Sequence, residues 1–440
     1  VSKQQHFGWF LARGFGPHGW GHPYLDWNYR WTEPALYQQS TRDLEQAGFD
    51  LLIIEDAPSM GNPSTIDLRI RQAFGGPKHD PLLLAPYLFD ATSNIGVAPT
   101  VNPAAYLPYT AARQFATLQH LSGNRLGLNV VTDTGSARHF GAEPQLSHDA
   151  AYDRAEEWLA GIRRLWGSWG KDALIADPAR GRYADGARLD AVQHRGEYFA
   201  FDGPLNAIPF AEGDPTIVSP GGSGRGLGFA GANSDVQLAL APLDVESVRA
   251  YRGRIHEAAR ERGRDPRDIQ ILFAIQPVLV SSAEEADRLV AESANPNDAA
   301  ILTIAERQSS DLETDLTILD FEKPLDVRVF GDHVSQGSIK RLIGKYDPEK
   351  TPLKTLLGAQ ARLGRITDGS GFVGTAGEFA DLIEDLGDSA DNDGILLWGD
   401  LHPVTVHRML DELVPILRRR GILRTEFGGG GGLRANLHDF

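Results

Sequence analysis

No cysteine occurs among the 440 residues. Disulfides, thiolate metal sites, iron–sulfur clusters and a cysteine nucleophile are therefore all excluded. Long hydrophobic runs are missing as well, since nothing approaches the roughly 20 apolar residues of a membrane span. The first stretch carries Lys3 and Arg13 and holds no apolar segment of signal-peptide type. The expectation is a soluble, cytoplasmic protein. Positive charge is in deficit: 43 Lys and Arg against 59 Asp and Glu leave a net charge of −16. Such a surface disfavours non-specific nucleic-acid binding and anionic membranes. No internal repeat is visible. What is present is an ordinary globular balance, 41% hydrophobic and 23% charged, in a chain long enough to bury a substantial core without covalent staples.

Apolar strand-like runs alternate with helical patterns through most of the chain. Residues 6–11 read as a first strand. An aromatic, Gly-rich loop follows, and Trp9, Trp20, Trp27, Tyr29 and Trp31 form a candidate pocket wall, a core or lid role being the alternative. A helix is predicted over 32–47, with Thr32 as N-cap, Pro34 in the first turn and Gly48 as terminator. Residues 49–55, FDLLIIE, form an almost unbroken apolar run, the pattern of a parallel strand covered on both faces. Further strands are read at 94–100, 126–132, 216–219, 236–241, 271–280 and 394–398, each followed by helical sequence. Ser282 with Glu285, and Thr375 with Glu378, are capping-box signatures. Repeated strand–helix units, eight in number, predict an α/β protein: a closed (β/α)8 TIM barrel spanning 1–440 as one domain. Between 294 and 351 the rhythm breaks into polar, irregular sequence, read as an insertion or lid before the last barrel units. The tail, 427–440, contains five consecutive glycines and reads as a flexible loop before a short terminal segment.

Active sites of such barrels lie at the C-terminal ends of the strands. Strand-end candidates are Glu55 and Asp56, Thr100 and Asn102, Asn129, Asp133 and Thr134, and Trp398, Asp400 and His402. After the fifth strand comes SPGGSGRG (219–226). A Gly-rich turn entering a helix can aim backbone N–H groups at an anion, with Ser223 adding a hydroxyl and Arg225 a charged fork. The residues alone leave open an unliganded turn. Arg225 interrupts the nucleophile-elbow pattern of hydrolases. Gly226, Gly228 and Gly231 also satisfy G-x-G-x-x-G, so an NAD-binding Rossmann domain is an alternative. Against it, those glycines begin inside the helix, and Asp244 and Glu246 follow too soon for the usual spacing of about 20 residues. Asn129 and Thr100, taken alone, also fit turn and strand roles. His148 and Tyr152 share a helix face at i and i+4. His18 and His22 have metal-like spacing with only Asp26 nearby, and no metal site is expected. His22, His139, His333 and His402 are candidate acid–base groups, His22 being named as catalytic.

Several fragments, taken in order, carry a family resemblance. HLSGNRLGLNVVT (120–132) resembles the DHLSGGRxGWNVVTS stretch of the luciferase-like flavin-dependent monooxygenases, in the group of the nitrilotriacetate, long-chain alkane and dibenzothiophene-sulfone enzymes. HDAAYDRAEEWLAGIRRLWGSW (148–169) is similar to HDERYDRADEFLEVVKKLWDSW in that family. Residues 219–230 resemble QAGSSERGREFA, and 412–426 resemble ELVVPELQRRGLFRTEY. Gly21, His22 and Pro23 resemble an early W-R-H-P, and residues 372–375 resemble VGTPEQVAD. The fragments span nearly the whole chain.

The resemblance implies a two-component monooxygenase. FMN would arrive reduced, as FMNH2, from a separate NAD(P)H:flavin reductase. With O2 it would oxygenate a small organic substrate at a C–N, C–S or C–H bond. It further implies that Asp56, Thr100 and Asn129 surround the isoalloxazine, with Thr100 and Asn129 shaping the O2 pocket. Tyr152 would reach the FMN phosphate, and Gly222, Ser223 and Arg225 would form the phosphate loop. Thr134 and His148 join the cofactor-binding set. The sequence departs from the family pattern at Leu128, in place of Trp, and at Pro220, which cannot donate a hydrogen bond. Glu55 adds a carboxylate beside Asp56, and Asp133 replaces Ser. An F420-dependent oxidoreductase on the same barrel and a non-catalytic flavin-binding barrel are the remaining alternatives. A homodimer or higher homo-oligomer is expected from the general frequency of symmetric assemblies.

Overall fold

The computed structural model describes residues 2–12, 30–61, 63, 66–70, 73, 75–141, 146–331, 334, 336–367 and 371–440. Eight parallel strands close on themselves: β1 (His6–Leu11), β2 (Leu51–Ile54), β3 (Gly96–Val101), β4 (Gly127–Val130), β5 (Thr216–Ser219), β6 (Val236–Ala239), β7 (Gln270–Leu279) and β8 (Gly394–Gly399). Each pairs with the next, and β8 returns to β1 with Gly8 opposite Leu396. A helix follows every strand: α1 (Pro34–Ala47), α2 (Pro81–Asp90), α3 (Pro108–Leu121), α4 (His148–Trp166), α5 (Gly224–Asn233), α6 (Val245–Glu261), α7 (Ala376–Ala390) and α8 (Pro403–Arg419). This is the expected closed barrel.

The unbroken apolar run at β2 follows from a strand with two buried faces. Leu51 and Ile53 pack inside the barrel with Ala98, Val218 and Leu272. Leu52 and Ile54 join the larger core between strands and helices. Local signals set the helix starts. Asp80 caps α2 by accepting from the Leu83 N–H at 3.1 Å. Thr375 and Glu378 form the full reciprocal capping box of α7. Ser282 caps its helix, but Glu285 reaches the N–H of Ser281 rather than that of Ser282. The start of α1 is displaced from the expectation: Glu33, not Thr32, is the N-cap, because Pro34 takes the first helical position.

Four segments depart from the sequence reading. The insertion is helical rather than irregular, with helices Asp298–Asp311, Gln336–Ile343 and Leu353–Ala361. They surround a cluster that includes Ile301, Leu312, Leu316, Leu356 and Leu357. Its period was hard to see because Ala305, Ser309 and Ser310 supply much of the buried face of the first helix. Between α4 and β5 lie two exposed hairpins, Leu174–Asp177 with Arg182–Ala184 and Gln193–Arg195 with Ala200–Asp202. A further strand, Gly371–Gly374, extends the sheet alongside the end of β7.

The tail is the fourth departure. Leu433 and Leu437 are fully buried and complete the barrel-interior cluster. Gly96 makes room for this, since a Cβ there would lie 2.6 Å from Leu433. Arg424 fastens the segment through Asp50 at 2.7 Å and Asp439 at 2.9 Å. Residues 427–440 thus plug the N-terminal end of the barrel instead of hanging free, and leave the opposite end as the open mouth.

Candidate active site

Two strand ends begin the mouth. On β3, Thr100 donates its hydroxyl proton to the carbonyl of Ile54 on β2 at 2.7 Å. It accepts from Asn129 Nδ2 on β4 at 2.8 Å. Parallel pairing puts Thr100 opposite Asn129, so both side chains share a face of the sheet. Both are buried. Asn129 Oδ1 is buried and has no hydrogen-bond partner among the described residues. A buried carbonyl oxygen left unpaired costs free energy, which a ligand donor would recover.

Above this pair is a cavity of about 320 Å³ lined by Asp56, Met60, Lys78, His79, Asp80, Thr100, Asn102, Tyr106, Asp133 and Phe140, among others. Burial pushes the Asp56 carboxyl up to about 7, opposed by the nearby Lys78 charge and reinforced by Glu55 and Asp80. Lys78 Nζ meets Glu55 Oε2 at 2.8 Å, with both side chains largely buried. Burial, with help from Asp80 and Asp56, also drives the Tyr106 phenol upward, so it stays protonated and can donate. Asn102 ties two rim loops together, donating to the Asp133 carbonyl at 2.8 Å and accepting from the Ala104 N–H at 3.0 Å.

A second constellation lies two strands along the rim. β5 pairs directly with β4, Asn129 standing opposite Val218, and runs into the Gly-rich loop. Ser223 is the N-cap of α5, its hydroxyl accepting from the Gly226 N–H at 3.1 Å. His148 Nε2 lies 3.4 Å from that hydroxyl. Tyr152 stacks edge-on against His148, with ring centroids 5.2 Å apart. A Cβ at Gly221 or Gly226 would come within 2.8 Å of the Tyr152 hydroxyl, so only glycine admits the phenol. A side chain at Gly222 or Gly224 would meet nothing within 4 Å, which leaves the loop open on its outer side. Gln237 on β6 holds the Gly221 carbonyl at 2.9 Å. That fixes the carbonyl inward and favours N–H groups facing out, as an anion site requires.

The sequence-based site residues therefore separate. Asp56 and Thr100 line the mouth cavity, Asn129 lies beneath it, and Ser223, His148, Tyr152 and Gly222 gather at the α5 terminus. Arg225 changes role. Its guanidinium is held by Glu156 at 2.8 Å and by Asp153, and it lies over the Tyr152 ring. It braces the loop against α4 instead of pointing a fork at the anion position. The Glu156 bond, with Asp153, holds its pKa above the ordinary arginine range. Thr134 sits in the turn that leads to the 3-10 helix Ala137–Phe140, where its carbonyl accepts from the Ala137 N–H at 3.3 Å. His402 is a helix cap, its Nδ1 accepting from the Val404 N–H at 3.2 Å, and burial lowers its pKa. His139 is exposed. His22 and His333 lie outside the described residues, as do His18, Trp20, Trp27 and Tyr29. Among the described residues there is no group of three or more His, Asp or Glu able to hold a metal ion. No helix among them is long and apolar enough to cross a membrane.

Sequence reasoning missed Lys78, His79, Tyr106 and Gln237. The first two lie on the connection just before the Asp80 cap of α2, where no strand end or motif marks them. Gln237 did carry a signal: a lone amide inside a buried strand must find partners, here Ser219, Gly221 and Tyr251.

A closed parallel barrel with a polar cavity and a glycine-rich strand-to-helix turn on the same rim has the architecture of a barrel enzyme with its site at the strand ends. Two glycines of the Rossmann-like pattern serve packing instead: a Cβ at Gly231 would lie 2.5 Å from the Ala258 backbone of α6 and one at Gly226 2.8 Å from Gly221, while one at Gly228 would meet only the tip of Arg262 at 3.9 Å. The chain belongs to the luciferase-like monooxygenase family, whose sequence profile matches residues 6–392. It is therefore a member of a family of flavin-dependent monooxygenases. It is 31% identical to the dibenzothiophene-sulfone monooxygenase of Rhodococcus erythropolis (strain XP), over 97% of this chain and 95% of that one. It is 28% identical to nitrilotriacetate monooxygenase component A of Aminobacter aminovorans, over 98% and 95% respectively. A solved riboflavin lyase with modified FMN and riboflavin superposes with a TM-score of 0.81 at 27% identity, covering all of this chain.

Proposed function

We propose that the protein is the oxygenase of a two-component system that binds FMNH2 from a separate NAD(P)H:flavin reductase and oxygenates a small organic substrate. The observation that carries the reading is the orphaned Asn129 Oδ1, buried under the mouth cavity beside Thr100. A flavin ring carries N–H donors that fit an unpaired acceptor, and its phosphate fits the open turn at Gly222 and Ser223. The related riboflavin lyase structure, which holds modified FMN, supports the same cofactor. Component A in the name of the nitrilotriacetate relative supports a separate reductase.

Ser223, His148 and the outward N–H groups would hold the phosphate, with Tyr152 behind them. Asn129 and Thr100 would fix the ring, and Asp56 would border it. When bound, reduced FMN supplies the two electrons with which one oxygen atom of O2 enters the substrate and the other leaves as water. The chain's own part is to position, to exclude water and to manage protons. With its pKa near neutrality, Asp56 can hold or release a proton at the cavity edge. Tyr106 can donate there without ionising. The test is anaerobic titration of the purified protein with FMNH2, oxidised FMN and reduced F420. FMNH2 is expected to bind most tightly. No affinity for FMN in either redox state would overturn the proposal, and preference for F420 would replace it with a deazaflavin oxidoreductase.

A further inference from the structure

A second cavity, of about 290 Å³, adjoins the first on the outer side of the rim, between α1 and α2. Tyr37 and Leu84 are its buried lining, and Leu83 and Tyr87 stand at its edge, 71% and 53% exposed. His79 and Asp80 line both cavities and so form the partition between them. His79 is fixed there. Its Nε2 lies 2.8 Å from the carbonyl of Trp31, and its ring is packed by Trp31 and Tyr37.

We propose that this outer cavity is a substrate subsite, taking the hydrocarbon or aromatic body of a neutral or cationic substrate whose reacting end passes His79 into the mouth. The proposal rests on reading the mouth cavity as the flavin-ring site. A tricyclic ring there fills most of a space that is itself near the roughly 300 Å³ lower limit for ligand pockets. The co-substrate then needs adjoining room, and the outer cavity supplies it past a polar partition. Its lining sets the body's chemistry, because Tyr37, Leu84 and Tyr87 offer surface that gains from contact with apolar groups. The charges set the sign. Asp80 lies on the partition and Asp133 lines the inner cavity; Glu33, on the outer cavity, is paired with Arg30 at 3.1 Å, and burial raises the Asp56 carboxyl to about 7. Lys78 is matched by Glu55. An anionic substrate would enter against carboxylates, while a neutral or cationic one would not.

The test is equilibrium binding of dyes to the FMN-loaded protein. A neutral solvatochromic naphthalene dye is compared with an anionic naphthalene sulfonate. Leu84→Trp fills the floor, and Leu83→Glu, at an exposed position that does not threaten folding, places a charge on the edge. The neutral dye is expected to bind better than the sulfonate; Leu84→Trp should weaken the neutral dye by about tenfold or more and Leu83→Glu should weaken the sulfonate further, while FMN affinity stays within about twofold. Dye binding indifferent to both substitutions, or stronger for the sulfonate, would overturn the subsite with the flavin reading untouched. Loss of FMN binding by the unsubstituted protein would instead overturn the flavin reading and the subsite's role with it.

Discussion

Asn129 and Thr100 face each other across neighbouring strands, and their 2.8 Å hydrogen bond settles which end of the Asn129 amide is free. Thr100 spends its own proton on the Ile54 carbonyl. Its oxygen can then only accept, so the amide nitrogen of Asn129 must turn toward it and the carbonyl oxygen must turn away. Thr100 thus orients the acceptor that the proposed cofactor would meet.

Replacing Thr100 with Val removes both bonds while keeping the shape. It takes one donor from the Ile54 carbonyl and leaves the Asn129 amide without its acceptor, at an expected cost of about 1–3 kcal/mol in stability. FMN affinity should fall with it. Asn129→Ala should weaken FMN by about tenfold with a smaller stability loss, because it removes the orphaned oxygen itself. Chemical denaturation and flavin titration separate the two. Equal FMN affinity in all three proteins would contradict the orientation argument.

The tail plug yields a prediction about stability alone. Leu433 is fully buried against the barrel interior, on the end opposite the mouth. Leu433→Ala should cost about 2–5 kcal/mol, read as a lower denaturant midpoint with an unchanged slope. Removal of 427–440 should destabilise at least as much. A truncated protein as stable as the full chain would show that the plug contributes nothing.

The barrel strands were legible because parallel strands buried on both faces leave runs such as LLII that few other structures explain. The strand–turn–helix junction at Gly222 and Ser223 was legible because such a junction has its own chemistry, whereas Tyr152 beside it, on α4, was tied to that junction only by the family resemblance. The wall made by Lys78, His79 and Asp80 was not. Those residues lie on a connection, and their convergence with Thr100 and Tyr106 is set by barrel closure, not by any local period. Arg225 was legible as a charge near the loop but not in its direction, since Asp153 and Glu156 reach it from about 70 residues away in sequence. The tail misled for a similar reason. Two leucines, one on a five-residue helix and one at its C-cap, after a run of glycines give no periodic signal, and only the open barrel end gives them a place to go.

His407 on α8 lies between two carboxylates, with Nε2 3.0 Å from Asp43 of α1 and Nδ1 3.2 Å from Asp411. The Asp411 bond, joined by that of Asp43, raises its pKa above the ordinary histidine value. A base bound more tightly to its proton in the folded state adds stability that is complete below the unfolded value, near 6.5, and fades as pH rises through the folded one. His407→Gln should therefore lower the melting temperature at pH 5.5 by a degree or two, about the size of an exposed ion pair, and leave it nearly unchanged at pH 9. A deficit of equal size at both pH values would mean that packing, not charge, is what the histidine supplies between the two helices.

Asp56 should show the opposite dependence from an ordinary carboxylate. Its folded value of about 7 stands above the 3.8 of a free aspartate, because burial disfavours the anion. Between those two values the folded protein keeps a proton that the unfolded chain has released. Stability must then fall as pH climbs through that range and level off above it. The whole effect is no more than about 4 kcal/mol, and solvent reaching the cavity reduces it. Asp56→Asn removes the titration while keeping the shape, so the substituted protein should be the more stable one at pH 8 and should lose its advantage at pH 5. Denaturant melts at the two pH values measure this directly. If both proteins show the same change between them, the carboxyl is already ionised near pH 4, and it could not trade a proton with a bound cofactor or substrate near neutrality.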